Sequence, residues 1–325
     1  MKPTYVGLVG DVGGTNARFA LVDDQGRIRN PKTYPAGDYP TLIEVAEAYL
    51  ETTAGRRRPP AAVLAVAGPV VEGEIEFTNL DWQVSEAELI GAFELHEARL
   101  INDFAAQALA APVLSGDDLR VIGPELKGAE DAPVVVLGAG TGFGVSLLVR
   151  TPRGDLPVSS EGGHAAFAPY DGVEAAIWAS LRRTHGRVSI ERVLSGPGLY
   201  ALYRGLAEVH GAQPIHTDEK AVLKAGEEDG DPLAEETLDR FCEILGSVAG
   251  DIALTCGARG GVYVSGGIAP RMADRLASGG FRRRFEDKGR LSDYCREIPT
   301  CLILHPYAAL VGAARALAQM EGARR

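Results

Sequence analysis

Residues 5–22 read YVGLVGDVGGTNARFALV. Two apolar runs, Tyr5–Val9 and Ala17–Val22, flank the short glycine-rich segment GDVGGTN. Runs of this length punctuated by glycine read as strand, tight turn, strand. The uncharged stretch Ala132–Val149, APVVVLGAGTGFGVSLLV, repeats the pattern. Its length would suit a membrane-spanning helix. Spaced glycines at its centre and β-branched flanks instead give a second strand, turn and strand, and the membrane reading is rejected. Shifting the chain by 126 places Gly14-Thr15 on Gly140-Thr141 and Phe19–Val22 on Val145–Leu148. Two related domains of α/β type facing each other across a cleft are the expectation.

The rest of the chain fills in around these two turns. Asp23-Asp24-Gln25-Gly26 is a reverse turn. Thr41/Glu44 and Ser85/Glu88 have capping-box spacing ahead of LIEVAEAYL and ELIGAF, so a helix is expected at each. Strands are expected at Ala62–Ala67 and Ala98–Ile101, and a helix over FAAQALAA after Asp103. The polar stretch after Leu114 reads as a domain junction. A helix-rich region at about 171–256 precedes a strand, Val262–Ser265, that runs into Gly266-Gly267. A helix from Tyr307 closes the chain. The expected small domain is 1–113 completed by 304–325, with the large domain at 114–303.

Composition excludes several classes of function. Of 325 residues, 46% are hydrophobic and 24% charged, the balance of a folded protein. The net charge of −11 opposes nucleic acid as a partner. The basic runs Arg56–Arg58 and Arg282–Arg284 read as solvated patches. Cys242, Cys256, Cys295 and Cys301 form no C-x-x-C pair and no zinc spacing with His, which suggests reduced thiols. With no signal peptide at the N-terminus, a cytoplasmic location is expected.

A turn bare of side chains lets backbone N–H groups converge on an anion. Gly13, Gly14, Thr15 and Asn16 offer this in the first turn, and Gly140, Thr141 and Gly142 in the second. Neither continues as G-K-[ST], and Phe143 breaks a G-x-G-x-x-G pattern, so Walker A and nicotinamide sites are disfavoured. Asp11 separates the two copies, since its counterpart is Leu137. A carboxylate beside a phosphate-binding turn calls for a cation between them, and Mg²⁺ needs few protein carboxylates. Asp11 is therefore expected to hold Mg²⁺, directly or through water. The alternative is an Asp that caps its own turn.

Eight segments follow in order: VGDVGGTNARFAL at 9–21, TNLDW at 78–82, INDFAAQALA at 101–110, GAGTGFGV at 138–145, EGGHAAFAP at 161–169, ERVLSGPGLYALY at 191–203, GGVYVSGGIAPR at 260–271 and FEDKGR at 285–290. On these the chain resembles the bacterial hexokinase-type glucokinases of the actin-like ATPase superfamily, nearly end to end. The resemblance implies two ribonuclease H-like domains flanking a cleft. It also implies transfer of the γ-phosphoryl of ATP to the 6-hydroxyl of glucose, at the entry to glycolysis. ATP and Mg²⁺ are the expected cofactors, glucose and ATP the partners, and a homodimer the expected assembly. Gly10, Val12, Gly266 and Gly267 join the two turns in the expected ATP site.

A sugar hydroxyl needs a group to take its proton. Asp103, at a strand end, has the right chemistry, although an Asp ahead of a helix also reads as an N-cap. The resemblance makes Asp103 the catalytic base. It makes Asn102, Asp103, Glu161, His164 and Glu191 the sugar ligands, with Glu191 otherwise readable as a first-turn helix acid. Three other readings remain: a kinase for another hexose or an amino sugar, a sugar-responsive repressor, and a filament-forming actin relative. The repressor would need a DNA-binding helix pair before Tyr5 and lacks room for it. The filament would have no use for the IND and EGGH segments.

Overall fold

The computed structural model describes residues 4–55, 58–77, 80–152 and 154–323. Arg56 and Arg57 of the basic run, and Thr78 and Asn79 of TNLDW, lie outside the described residues. The chain forms two compact units. One comprises residues 1–114, 151–159 and 305–325, and the other 115–150 and 160–304.

The first unit opens with β1 (Tyr5–Val12), β2 (Asn16–Asp23) and β3 (Ile28–Pro35). Helix α1 (Leu42–Thr53) and β4 (Ala61–Val66) follow, then a small hairpin of β5 (Glu74–Glu76) and β6 (Gln83–Ser85). Helix α2 (Glu86–Phe93), β7 (Glu97–Asn102) and α3 (Asp103–Ala110) complete the run. The main sheet has the order β3-β2-β1-β4-β7. Strands β1, β4 and β7 are parallel, and β2 is antiparallel to both of its neighbours. Helix α1 buries Leu42, Val45, Ala46, Tyr49 and Leu50. This is the i, i+3, i+4, i+7, i+8 stripe of an amphipathic helix, and Tyr49 stacks on Phe19 of β2 at 5.7 Å. Each of the Leu and Val side chains contributes roughly 1.5–3 kcal/mol when removed from water. Ser85 and Glu88 form the reciprocal capping box. At α1 only the Thr41 half is made, with its hydroxyl accepting the Glu44 amide.

The second unit starts with β8 (Leu119–Val121), which lies in the polar stretch read as a junction, and continues with β9 (Val134–Ala139) and β10 (Phe143–Thr151). After β11 (Gly154–Ser160) come α4 (Gly172–His185), α5 (Gly196–His210), α6 (Glu219–Lys224) and α7 (Pro232–Cys256). Then follow β12 (Gly261–Ser265), α8 (Ala273–Ala277), α9 (Gly280–Glu286), α10 (Ser292–Arg296) and β13 (Thr300–Ile303). Its sheet has the order β11-β10-β9-β12-β13-β8. Strands β9, β12 and β13 are parallel, and β10 is antiparallel to β9. Leaving β8 aside, this is the strand order of the first unit. The repeat read in the two glycine turns thus extends over five strands in each sheet. Among the described residues no helix is long and apolar enough to cross a membrane.

Helix α11 (Ala308–Ala323) returns to the first unit. Gly7 of β1 lies against Leu317, and Gly312 lies so close to the Ala106 carbonyl of α3 that any side chain there would collide. Residues 151–159, which include all of β11 but Ser160, also cluster with this unit. There Arg315 pairs with Asp155 at 3.1 Å and donates to the Leu109 carbonyl at 2.9 Å.

Candidate active site

In the first unit the parallel register sets Val12 beside Val66, and Val66 beside Asn102. Asp11, Asn102 and Asp103 therefore sit at the carboxyl ends of parallel strands, where open α/β sheets bind their ligands. Two bonds tie this edge together. The Ala67 amide donates to the Val12 carbonyl at 3.0 Å, and Asn102 Nδ2 donates to the Gly68 carbonyl at 3.2 Å.

Asn102, not Asp103, caps α3. Its Oδ1 accepts the amides of Phe104 and Ala105 at 3.0 and 3.2 Å. Asp103 Oδ1 accepts the adjacent Phe104 amide, at 3.0 Å. Burial and then the negative charge of Asp11 push the Asp103 carboxyl up to about 7, against amide bonds that pull it down. Asp11 is raised as well, because burial outweighs the Arg18 guanidinium 2.8 Å from its Oδ2. Two carboxyl groups at one strand edge are chemically able to hold a cation that keeps most of its waters. Among the described residues there is no group of three or more His, Cys, Asp or Glu able to cage a metal.

The first turn is closed by the Gly13 amide, which donates to the Asn16 carbonyl at 2.9 Å. That N–H is therefore engaged in the turn itself. Thr15 is exposed at the tip. Gly10 and Val12 are buried strand residues, and a side chain at Gly10 would stand 2.7 Å from Leu64 Cδ2.

In the second unit the Gly140 amide donates to the Gly142 carbonyl at 2.8 Å, and Thr141 is exposed at the tip. The turn gathers residues distant in sequence. Glu191 Oε2 accepts the Phe143 amide at 2.8 Å. Gly163 lies so close to the Phe143 carbonyl that only glycine fits. The Gly196 amide, at the start of α5, donates to the Gly140 carbonyl at 2.8 Å. Gly266, at φ +90°, is pressed against the backbone of Ala139, and Gly267 is exposed. Glu161 and His164 stand 3.8 Å apart with most of their side chains in solvent, free to meet a polar ligand. The second unit thus brings together residues 140–143, 161–164, 191 and 266–267.

Sequence reasoning missed three supporting groups: the Gly68 carbonyl that orients Asn102, Arg18 beside Asp11, and Ser195, whose hydroxyl caps α5 and donates to the Glu191 carbonyl at 2.8 Å. Ser195 carried a readable signal, since a serine followed by Gly-Pro is an N-terminal helix signature. Arg18 and the Gly68 carbonyl carried none.

A family model described as "Glucokinase" matches residues 8–320. The glucokinase of Caulobacter vibrioides is 51% identical over 319 residues, covering 96% of this chain and 95% of its own. That of Hahella chejuensis is 42% identical over 326 residues, covering 99% of each. A solved glucokinase from an Antarctic psychrotroph superposes with a TM-score of 0.87 at 40% identity, over 96% of this chain and 98% of its own.

Proposed function

The chain belongs to the glucokinase family and is an ATP-dependent glucose kinase, and on that premise we propose how its residues perform the transfer. The 6-hydroxyl of glucose attacks the γ-phosphorus of ATP, the bond from that phosphorus to the bridging oxygen breaks, and ADP leaves. Asp103 takes the hydroxyl proton. One observation carries this assignment: the capping duty expected of Asp103 falls to Asn102. Asp103, relieved of it, keeps a bond from the adjacent Phe104 amide and an affinity for protons close to neutrality. A base poised near the working pH is the efficient choice for general catalysis.

Thr15 and Thr141, exposed at the tips of their turns, donate to the phosphates, with Gly14, Asn16, Gly142, Gly266 and Gly267 shaping the surfaces around them. Asp11 would hold Mg²⁺, which when bound would neutralise the charge that builds on the transferring group. Asn102, Glu161, His164 and Glu191 hold the sugar ring. Asn102 does so through the second N–H of its side-chain amide, since its Oδ1 already accepts the Phe104 and Ala105 amides and its first N–H is committed to Gly68. The exposed Glu161–His164 pair offers an acceptor and a donor to neighbouring sugar hydroxyls.

The sugar ligands are divided between the two units, so a cleft that sugar binding closes is part of this reading. Water competes with the sugar hydroxyl, and assembling the site only when sugar binds suppresses hydrolysis. The acidic chain suits a small-molecule enzyme of the cytoplasm with no nucleic-acid partner. A coupled assay with ATP, Mg²⁺ and a panel of hexoses and amino sugars tests the substrate, with glucose expected to give the highest kcat/KM. Scattering profiles with and without glucose, beside a sugar-free ATPase assay, test closure. An unchanged profile together with rapid hydrolysis in the absence of sugar would overturn it.

A further inference from the structure

The second glycine turn has an acidic neighbour that the sugar and phosphate chemistry does not use. A point one bond from Gly196 Cα, where a side chain would start, lies 3.4 Å from Glu219 Cγ and 3.5 Å from the Gly140 carbonyl oxygen. Glu219 and the second turn thus lie within two contact distances of each other, on either side of the start of α5. Glu219 is half-buried at the first position of α6. It does not cap that helix, because the Asp218 carboxylate already accepts the amides of Lys220 and Ala221. Among the described residues no side chain forms an ion pair with it or donates a hydrogen bond to it.

A carboxylate held beside a phosphate turn repels the phosphates themselves. What it can accept from a nucleotide is a donor, and the ribose presents two adjacent hydroxyls that match its two oxygens. Acidic side chains read ribose hydroxyls in other nucleotide sites for this reason. We propose that Glu219 is a specificity-determining residue that accepts hydrogen bonds from the ribose hydroxyls of ATP. The inference rests on the second turn being the phosphate site, as proposed above.

The test pairs protein variants with substrate variants in the full-length kinase. Glu219→Gln and Glu219→Ala are assayed with ATP, 2′-deoxy-ATP and 3′-deoxy-ATP at saturating glucose. For the unaltered protein, removing a ribose hydroxyl raises the nucleotide KM roughly tenfold, the usual cost of losing a hydrogen bond to a charged group. In Glu219→Ala the KM for ATP rises by a similar factor, the glucose KM holds, and the deoxy penalty disappears. A deoxy penalty that persists in Glu219→Ala overturns the proposal, as does an unchanged KM for ATP. Loss of discrimination against ITP with the deoxy penalty intact also overturns it, by moving the contact to the base. Thr141→Val, run in parallel, reports on the turn alone. A raised nucleotide KM there, with no effect at Glu219, leaves the phosphate site standing and removes only the ribose contact.

Discussion

Glu191 Oε2 accepts the backbone amide of Phe143 at 2.8 Å, which fastens a residue read as a sugar ligand to the turn read as a phosphate cradle. One carboxylate oxygen is thereby committed to the protein, and the orientation of the other is set by the turn. A side chain at Gly142 would stand 2.5 Å from that same Oε2. Gly142→Ala is accordingly expected to displace Glu191 and raise the KM for glucose and for ATP together. Separate titrations of the two substrates check this. An effect on ATP alone would show that the turn and the sugar residue are not linked.

Asp103→Asn is expected to fold and to retain sugar binding while kcat falls on the order of 10²–10⁴-fold, the usual contribution of a general base. Glucose affinity by calorimetry and kcat by coupled assay separate the two. A folded variant with near-normal kcat would remove Asp103 from the mechanism.

The same residue sets two pH dependences of opposite sense. A general base acts in its ionised form, so on the proposed role kcat/KM for glucose is expected to rise with pH through a midpoint near the value of about 7 to which Asp103 is pushed. In Asp103→Asn that limb is absent. Stability runs the other way. The folded state holds this proton more tightly than the unfolded chain, whose Asp titrates at about 3.9. The advantage is complete below that value and is lost as pH rises through about 7. The melting temperature of Asp103→Asn should therefore gain on that of the unaltered protein between pH 4 and pH 8. Thermal scans across this range provide the measurement.

Asn102→Ala removes the cap of α3, which costs about 1 kcal/mol, and frees the Gly68 carbonyl. A lower melting temperature and a raised glucose KM are expected together. Asn102→Asp, which keeps an acceptor for the Phe104 and Ala105 amides, should recover much of the stability but not the sugar affinity. Recovery of both would mean that the side chain serves only the helix.

Asp11→Ala is expected to raise the Mg²⁺ concentration needed for half-maximal activity and to lower kcat. Glucose binding measured without nucleotide should stay near normal. Arg18, 2.8 Å from Asp11 Oδ2, loses its partner in this variant. Arg18→Gln therefore serves as the control for that loss. A Mg²⁺ titration that is identical in Asp11→Ala and the unaltered protein would place the cation elsewhere.

Local chemistry made much of this legible before any coordinates. Strands β1, β2, β9 and β10 are apolar runs broken by glycine, and α2 announces itself through Ser85 and Glu88, because short-range sterics and capping act over a few residues. The pairing of the two turns was visible in a shift of 126 residues, since each turn needs the same small residues at its tip. Strand β3, IRNPKTYP, was not legible: it is an edge strand with two prolines and mostly exposed side chains, and its partner β2 holds it extended. Strand β8, LRV, is likewise set by β13, which follows it by almost two hundred residues.

The identities of the candidate site residues were sequence properties, carried by motifs with a fixed order. Which duty each performs was decided by tertiary structure. INDF offers two adjacent side chains able to cap α3, and nothing local chooses between them. The Gly68 carbonyl, brought in after β4, takes the Asn102 amide and turns its oxygen toward the helix, which relieves Asp103 of the cap and leaves its carboxyl under the negative charge of Asp11. Glu191 read equally well as a helix acid until the Phe143 amide arrived from a strand 48 residues away. A carboxylate's donors and neighbouring charges come from whatever the fold packs beside it, and those partners are not encoded in its own segment.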